Sequence, residues 1–291
     1  MYLDSLTFLK PFKRLFWQVV DLLSPRYGLY KLLILQNKIK LCLRGKVDNT
    51  FLFILAPPFS GSTLLTELIF TSKHVSVNNP YDGNLEGQKL PSVRHIMFTK
   101  ERMDEKHNFD WRYIKKEWLK YWDLSQPVLL EKSPANIFRA LSLQQFFTPS
   151  RFILFYRNPY AHCESFMRRL NSTPEQAAFF VIRCLKVQFK NIQDLPEVLV
   201  LSYELLTNHP EQVVGRLNAF IPELCGVDVN RKFKAHNHLG KVMRIQNLNQ
   251  EKIDALSAAD IVKINEVFAE EKDLLEFFGY ELMHRVTTAA L

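Results

Sequence analysis

Ser60-Gly61-Ser62-Thr63 follows the apolar run Phe51-Leu52-Phe53-Ile54-Leu55-Ala56 and the turn Pro57-Pro58-Phe59, and it leads directly into Leu64-Leu65. A strand, a tight turn and a helix in that order make an anion cradle. The first N–H groups of a helix have no backbone partner and carry partial positive charge, so the segment from Ser60 to Leu64 aims several donors at one point. Gly61 allows an anion close to the backbone, and the hydroxyls add donors. The loop lacks the Gly-Lys-Ser/Thr ending that sets a lysine on the outer phosphates and a hydroxyl on magnesium, so ATP or GTP hydrolysis is not indicated. Taken alone, the same segment also reads as an ordinary corner with a serine cap.

A second constellation repeats the plan. The β-rich run Arg151-Phe152-Ile153-Leu154-Phe155-Tyr156 ends in Arg157-Asn158-Pro159, a helix can begin at Pro159, and Ser165 follows Arg157 by eight residues. A guanidinium at a strand end can grip a phosphate with two parallel N–H groups, and a serine two turns on can donate to the same group. The plainer reading is an arginine paired with a surface carboxylate.

Together the two segments resemble the nucleotide-binding signature of sulfotransferases that use 3′-phosphoadenosine 5′-phosphosulfate (PAPS). Ser60-Gly61-Ser62-Thr63 is similar to that family's loop for the 5′-phosphosulfate, and Arg157-Asn158-Pro159 with Ser165 is similar to its 3′-phosphate element. Glu131-Lys132-Ser133-Pro134 and Ser202-Tyr203-Glu204-Leu205 resemble two further family segments, in the expected order. The resemblance implies a P-loop nucleotide-binding-like α/β fold, PAPS as donor substrate without a metal, and transfer of a sulfuryl group to an acceptor hydroxyl or amine. It also implies 5′-phosphate contacts from Ser60, Gly61, Ser62, Thr63 and Leu64, and 3′-phosphate contacts from Arg157 and Ser165.

One position departs from the pattern. The family usually carries Lys or Arg just before the serine-rich core, where a cation neutralises the leaving oxygen, and this chain has Phe59. Loss of one such group commonly costs about two to three orders of magnitude in rate. Lys132 is the candidate replacement, because Pro127-Val128-Leu129-Leu130 reads as a buried strand that would deliver it to the same sheet edge. Two alternatives follow: a PAPS-binding relative with impaired catalysis, and a P-loop kinase-like phosphotransferase. For the general base, the irregular segment 78–88 should lie over that edge. Glu86 is the first choice and Asp82 the second, ahead of the histidines.

Positioning these groups requires a sheet. β-type runs recur at Phe51–Ala56, His74–Val77, Val128–Leu130, Phe152–Tyr156 and Val198–Leu201, alternating with helical stretches, which predicts a mostly parallel sheet flanked by helices. The aromatic stretch from Phe109 to Trp122 reads as a helical cover for that sheet, able also to wall the acceptor pocket. His236 to Asn249 reads as a polar connection in which Lys241 or Arg244 could meet the nucleotide, and a capped helix should begin near Ser257.

Residues 1–46 form an expected amphipathic helical segment ahead of a single domain at 47–291. Within it Phe8, Leu9, Phe12, Leu15, Phe16, Val19 and Val20 alternate with Lys10, Lys13 and Arg14. A break is expected at Ser24-Pro25-Arg26-Tyr27-Gly28, then a second apolar and basic segment at 32–41. Packing on the domain is the default reading, with peripheral membrane contact through residues 1–43 as the alternative. The chain of 291 residues is 47% hydrophobic, ample for one large core, and its net charge of +8 favours anionic ligands. No zinc-finger spacing or RNP-type pattern points to nucleic acid. Scattered Cys42, Cys163, Cys184 and Cys225 suit a reducing, cytoplasmic setting better than a disulfide scaffold or metal site.

Overall fold

A computed structural model describes residues 25–234 and 242–284. Its centre is one sheet of five strands in the order β2-β3-β1-β4-β5, all parallel: β1 Thr50–Leu55, β2 Val75–Val77, β3 Val128–Glu131, β4 Ser150–Tyr156 and β5 Val198–Ser202. This is the mostly parallel α/β architecture that the alternating runs predict, and the P-loop-like fold that the resemblance implies. β1 reads as an unbroken apolar run because both its faces are covered. Phe51, Phe53 and Leu55 point into a layer with Trp111, Trp118, Trp122 and Phe147, whereas Leu52 and Ile54 point into a layer with Leu65, Leu68, Val213 and Leu217.

Strand order explains where the chemistry must gather. After β1 the chain moves outward to β2 and returns through β3 on one side of β1, then places β4 and β5 on the other side. β1 is therefore a topological switch point, and the crevice lies beyond the carboxyl ends of its neighbours. Register fixes those ends together: Phe53 pairs with Glu131, Leu55 with Leu154, and Tyr156 with Ser202. Consequently the residues just past each strand, Ala56 to Thr63, Lys132, Arg157 and Tyr203, issue from one edge.

Helices α1 Pro25–Arg44, α2 Ser62–Ile69, α3 Trp111–Tyr121, α4 Pro159–Leu170 and α5 Pro174–Asp194 surround the sheet, followed by α6 Tyr203–Asn208, α7 Pro210–Phe220, α8 Asn249–Asp254 and α9 Ala258–Phe268. α3 is the aromatic cover expected from its composition. Trp118 Nε1 donates to the Gly87 carbonyl at 3.2 Å and Trp122 Nε1 to the Leu130 carbonyl at 3.1 Å, so these indoles satisfy their one donor while filling the core. α9 begins at the expected cap, where Ser257 and Asp260 form a reciprocal capping box.

The N-terminal boundary differs from expectation. The first described helix starts at Pro25 and runs unbroken through Gly28, rather than breaking over 24–28 and resuming at Leu32. Proline is favoured in a first helical turn, where its missing N–H costs nothing, and Gly28 is tolerated at modest cost. The apolar and basic run before Pro25 lies outside the described residues. α1 packs inward through Tyr30, Leu33 and Ile34, and Asn37 Nδ2 donates to the Tyr121 carbonyl at 2.7 Å. Of the four free thiols, Cys163 and Cys184 are buried and Cys42 and Cys225 exposed. Among the described residues no helix is long and apolar enough to cross a membrane.

Candidate active site

A cavity of about 450 Å³ opens at the carboxyl edge of the sheet, on the first turn of α2. Gly61 caps that helix with φ at +85°, in the left-handed region, and the space a side chain would need is filled by Tyr203. A Cβ there would stand 2.6 Å from Tyr203 Cδ2. Glycine is thus required at this position both by conformation and by contact. Gly61, Ser62, Thr63 and Leu64 all line the cavity. Ser60 does not: its hydroxyl donates to the Pro57 carbonyl at 2.8 Å and braces the turn from beneath.

Phe59 also holds a left-handed backbone, φ 67°, uncommon for a residue with a bulky side chain, and it stands on the cavity wall with its ring edge-on to Phe166. Two groups hold this turn from behind. His162 Nε2 lies 2.7 Å from the Pro58 carbonyl oxygen, and because a carbonyl only accepts, the ring donates through Nε2–H. Burial lowers the His162 pKa to about 4 despite that bond, and the nearby Arg157 charge adds to the shift, so the ring is neutral at ordinary pH. Arg157 Nη1 donates to the Phe59 carbonyl at 3.4 Å.

Arg157 therefore meets the serine-rich turn across 98 positions of sequence, and both line the same cavity. Its Nε donates to Asn249 Oδ1 at 2.7 Å, and its guanidinium lies over the Tyr203 ring, 4.3 Å from the centroid. Asn249 in turn donates to Glu204, whose other oxygen accepts from Tyr280 at 2.9 Å. Burial lowers the Arg157 pKa while Tyr203, Glu204 and Glu164 oppose that shift. Ser165 is not among the cavity-lining residues: it is 2% exposed, and its hydroxyl donates to Glu164 Oε2 at 3.1 Å.

The opposite wall carries a buried ion cluster. Lys132 Nζ stands 3.3 Å from Thr63 Oγ1 and 3.6 Å from Glu86 Oε1, and both Lys132 and Glu86 line the cavity. Burial lowers the Lys132 pKa, with Glu86 and Glu131 opposing. Glu86 Oε2 also faces Lys89 at 3.1 Å and accepts from Gln88 Nε2 at 2.7 Å. Asp82 is not a cavity residue. It accepts the Glu86 N–H at 3.2 Å and pairs with Lys89 at 3.3 Å, which shapes the loop that presents Glu86.

Glu131, fully buried, anchors that loop to the sheet: Oε1 accepts the Gly87 N–H at 3.0 Å and the Ser133 hydroxyl, and Oε2 accepts from Asn136. Burial pushes its pKa up to about 7, against the pull of those hydrogen bonds and of Lys132. The aromatic stretch 109–122 contributes no cavity wall; Trp118 supports the Glu86 loop from behind through the Gly87 carbonyl.

Three contributors escape the sequence reading. Arg169 and Lys252 line the cavity, and Asn249 orients Arg157. Helical arithmetic could have found Arg169, four residues beyond Ser165 on one face of α4. Lys252 is likewise three residues beyond Asn249 on α8. Arg244 lies on the cavity wall, whereas Lys241 is outside the described residues.

Five cavity-lining cations, Lys132, Arg157, Arg169, Arg244 and Lys252, face two carboxylates, Glu67 and Glu86. Such a surplus on a helix N-terminus fits a compact polyanion. Solved structures share the fold. The sulfotransferase STF9 from Mycobacterium avium superposes with a TM-score of 0.53 at 13% identity, over 84% of this chain and 80% of that one. STF1 from Mycobacterium tuberculosis H37Rv gives 0.51 at 11%, over 83% and 82%. No curated protein matches the sequence significantly. The model of the sulfotransferase family matches residues 52–224, from β1 through β5 and beyond α7 and spanning every strand of the sheet. The chain belongs to the sulfotransferase family.

Proposed function

We propose that the cavity takes PAPS as donor and that the protein transfers its sulfuryl group to an acceptor hydroxyl. The observation that carries this reading is the meeting of Arg157 with the turn before α2 in one cavity, since a bisphosphorylated nucleotide needs two anion sites on one rim. The residues present fit such a molecule: a helix N-terminus with a left-handed glycine for one phosphate, a guanidinium stacked on Tyr203 for the other, and a volume within the range of nucleotide-sized pockets.

In this reading the N–H groups and hydroxyls from Gly61 to Leu64 hold the 5′-phosphate, and Arg157 holds the 3′-phosphate. Ser165 joins it only by releasing Glu164. The acceptor oxygen forms its bond to sulfur as the bond from sulfur to the phosphate oxygen breaks. Glu86 takes the acceptor proton, and Lys132 balances charge on the departing phosphate. The Lys132–Glu86 pair couples the two events, because a protonated Glu86 no longer competes for the ammonium. Free thiols throughout accord with a cytoplasmic setting. The acceptor carries a hydroxyl and is not nucleic acid.

Phe59 favours a second reading, a relative that binds the bisphosphate product yet turns over poorly. Incubation with radiolabelled donor and an acceptor library separates the two. Labelled product from wild type, lost in Arg157→Ala, supports transfer; bisphosphate binding with no labelled product across the library favours the second reading.

A further inference from the structure

α1 turns opposite faces inward and outward. Tyr30, Leu33, Ile34 and Asn37 pack on the domain, whereas Leu29, Leu32, Leu35, Ile39 and Leu43 form a stripe at helical spacing with exposures from 43% to 80%. Five large aliphatic side chains on one solvent-facing stripe are unusual, since contiguous apolar patches mark contact surfaces. Lys31 and Lys38 edge the stripe along one margin, and along the other Lys40 pairs with Asp123 at 3.3 Å. From Pro25 to Arg44 there are five basic residues and no carboxylate.

We propose that this face of α1 docks on an anionic lipid bilayer surface, with the helix lying in the plane of the interface. An apolar stripe flanked by lysines, with no carboxylate on the helix, is the pattern of a helix that sinks its aliphatic side chains among acyl chains while ammonium groups such as those of Lys31 and Lys38 reach phosphate headgroups. Charge decides against the other occupants. In an antiparallel symmetric pair of α1 helices the margin of Lys31 and Lys38 would meet its own copy. The segment before Pro25 carries Lys10, Lys13 and Arg14 among its apolar residues and would raise the same repulsion if it covered the stripe. The inward side of the helix ties this surface to the site: Tyr30 donates to Asn79 Oδ1 at 2.7 Å, and Asn79 Nδ2 donates to the Glu86 carbonyl at 2.7 Å. A docked α1 would set the Glu86 loop close to the bilayer, where an amphiphilic acceptor is presented.

The test is co-sedimentation of the full chain with vesicles of phosphatidylcholine alone or with about 30% phosphatidylserine. Wild type should pellet with the anionic vesicles and be released by salt. The charge-neutral variant Leu32→Gln/Leu35→Gln/Ile39→Gln should lose at least about tenfold in partitioning, and Lys31→Gln/Lys38→Gln about as much. Both variants should keep the wild-type melting curve and nucleotide affinity, so a negative outcome here stands apart from the fate of the donor assignment. Wild type that stays in the supernatant overturns the proposal, as does undiminished binding by the triple variant, which would move the lipid contact elsewhere. Sedimentation velocity showing a wild-type dimer that the triple variant dissolves, without vesicle binding, would assign the stripe to a second copy.

Discussion

The Lys132 ammonium lies 3.3 Å from the Thr63 hydroxyl, joining residues 69 positions apart at the mouth of the anion cradle. β3 pairs with β1 in register, so the residue after Glu131 must emerge beside the turn after β1. A cation is thus present at the cradle even though Phe59 stands where relatives usually carry one.

If Lys132 supplies the charge that Phe59 cannot, Lys132→Met should lower turnover by about two orders of magnitude. Phe59→Lys in that background should restore part of it. Rates with saturating donor decide the matter, with melting curves to separate loss of the buried pair with Glu86 from loss of catalysis. A silent Lys132→Met, or a gain from Phe59→Lys in wild type alone, would remove Lys132 from this role.

Gly61 offers a test of the cradle's shape. Gly61→Ala must adopt φ near +85° and place its methyl into the Tyr203 ring, so a loss on the order of 1–3 kcal/mol is expected, read as a lower melting temperature. Bisphosphate affinity should fall with it, because the same N–H groups are displaced. Wild-type stability would show that the Tyr203 contact is loose.

Asn249 is a positioning residue for the arginine. Asn249→Ala removes the acceptor of Arg157 Nε and leaves the Glu204 carboxylate short of a donor. Nucleotide affinity should drop about tenfold, roughly one charge-assisted hydrogen bond, in a calorimetric titration. Asn249→Gln should recover little, since the amide would be displaced by one methylene. Unchanged affinity in Asn249→Ala would mean that the guanidinium holds its place by stacking on Tyr203 alone.

Two buried groups should give opposing pH dependences. His162 has its folded pKa lowered to about 4, so the unfolded chain binds the extra proton and stability falls as pH drops from about 6.5 towards 4. Glu131 has its folded pKa raised to about 7, so the folded chain keeps the proton and stability falls as pH rises from about 4.5 towards 7. Each is worth on the order of 3 kcal/mol at most, and in wild type the two slopes largely cancel between pH 5 and 6.5. Glu131→Gln should expose the histidine's rise of stability with pH, and His162→Gln the carboxyl's fall. Denaturant titrations of both variants at pH 5 and 6.5 check the signs; equal slopes in the two would contradict the assignments.

The sheet was legible because burial on both faces turns β1, β3 and β4 into unbroken apolar runs, and the motif residues stand where those runs end. The start of α1 was misread because Pro25 and Gly28 look like a break, although proline is at home in a first turn. Side-chain direction was the hardest to foresee. Ser60 and Ser165 carry donors suited to phosphate, yet each hydroxyl serves its own neighbourhood, the Pro57 carbonyl and Glu164. The role of Asn249 was hidden for another reason: its bonds to Arg157 and to Glu204 are made only by the closing of segments 92 and 45 residues away.

Calorimetric titration with adenosine 3′,5′-bisphosphate tests most directly whether Arg157 and the turn before α2 grip one molecule. Single-site binding is expected, weakened by roughly thirtyfold, about 2 kcal/mol, in Arg157→Ala, which should retain the wild-type circular dichroism spectrum. No heat from wild type, or the same affinity in Arg157→Ala, would contradict it.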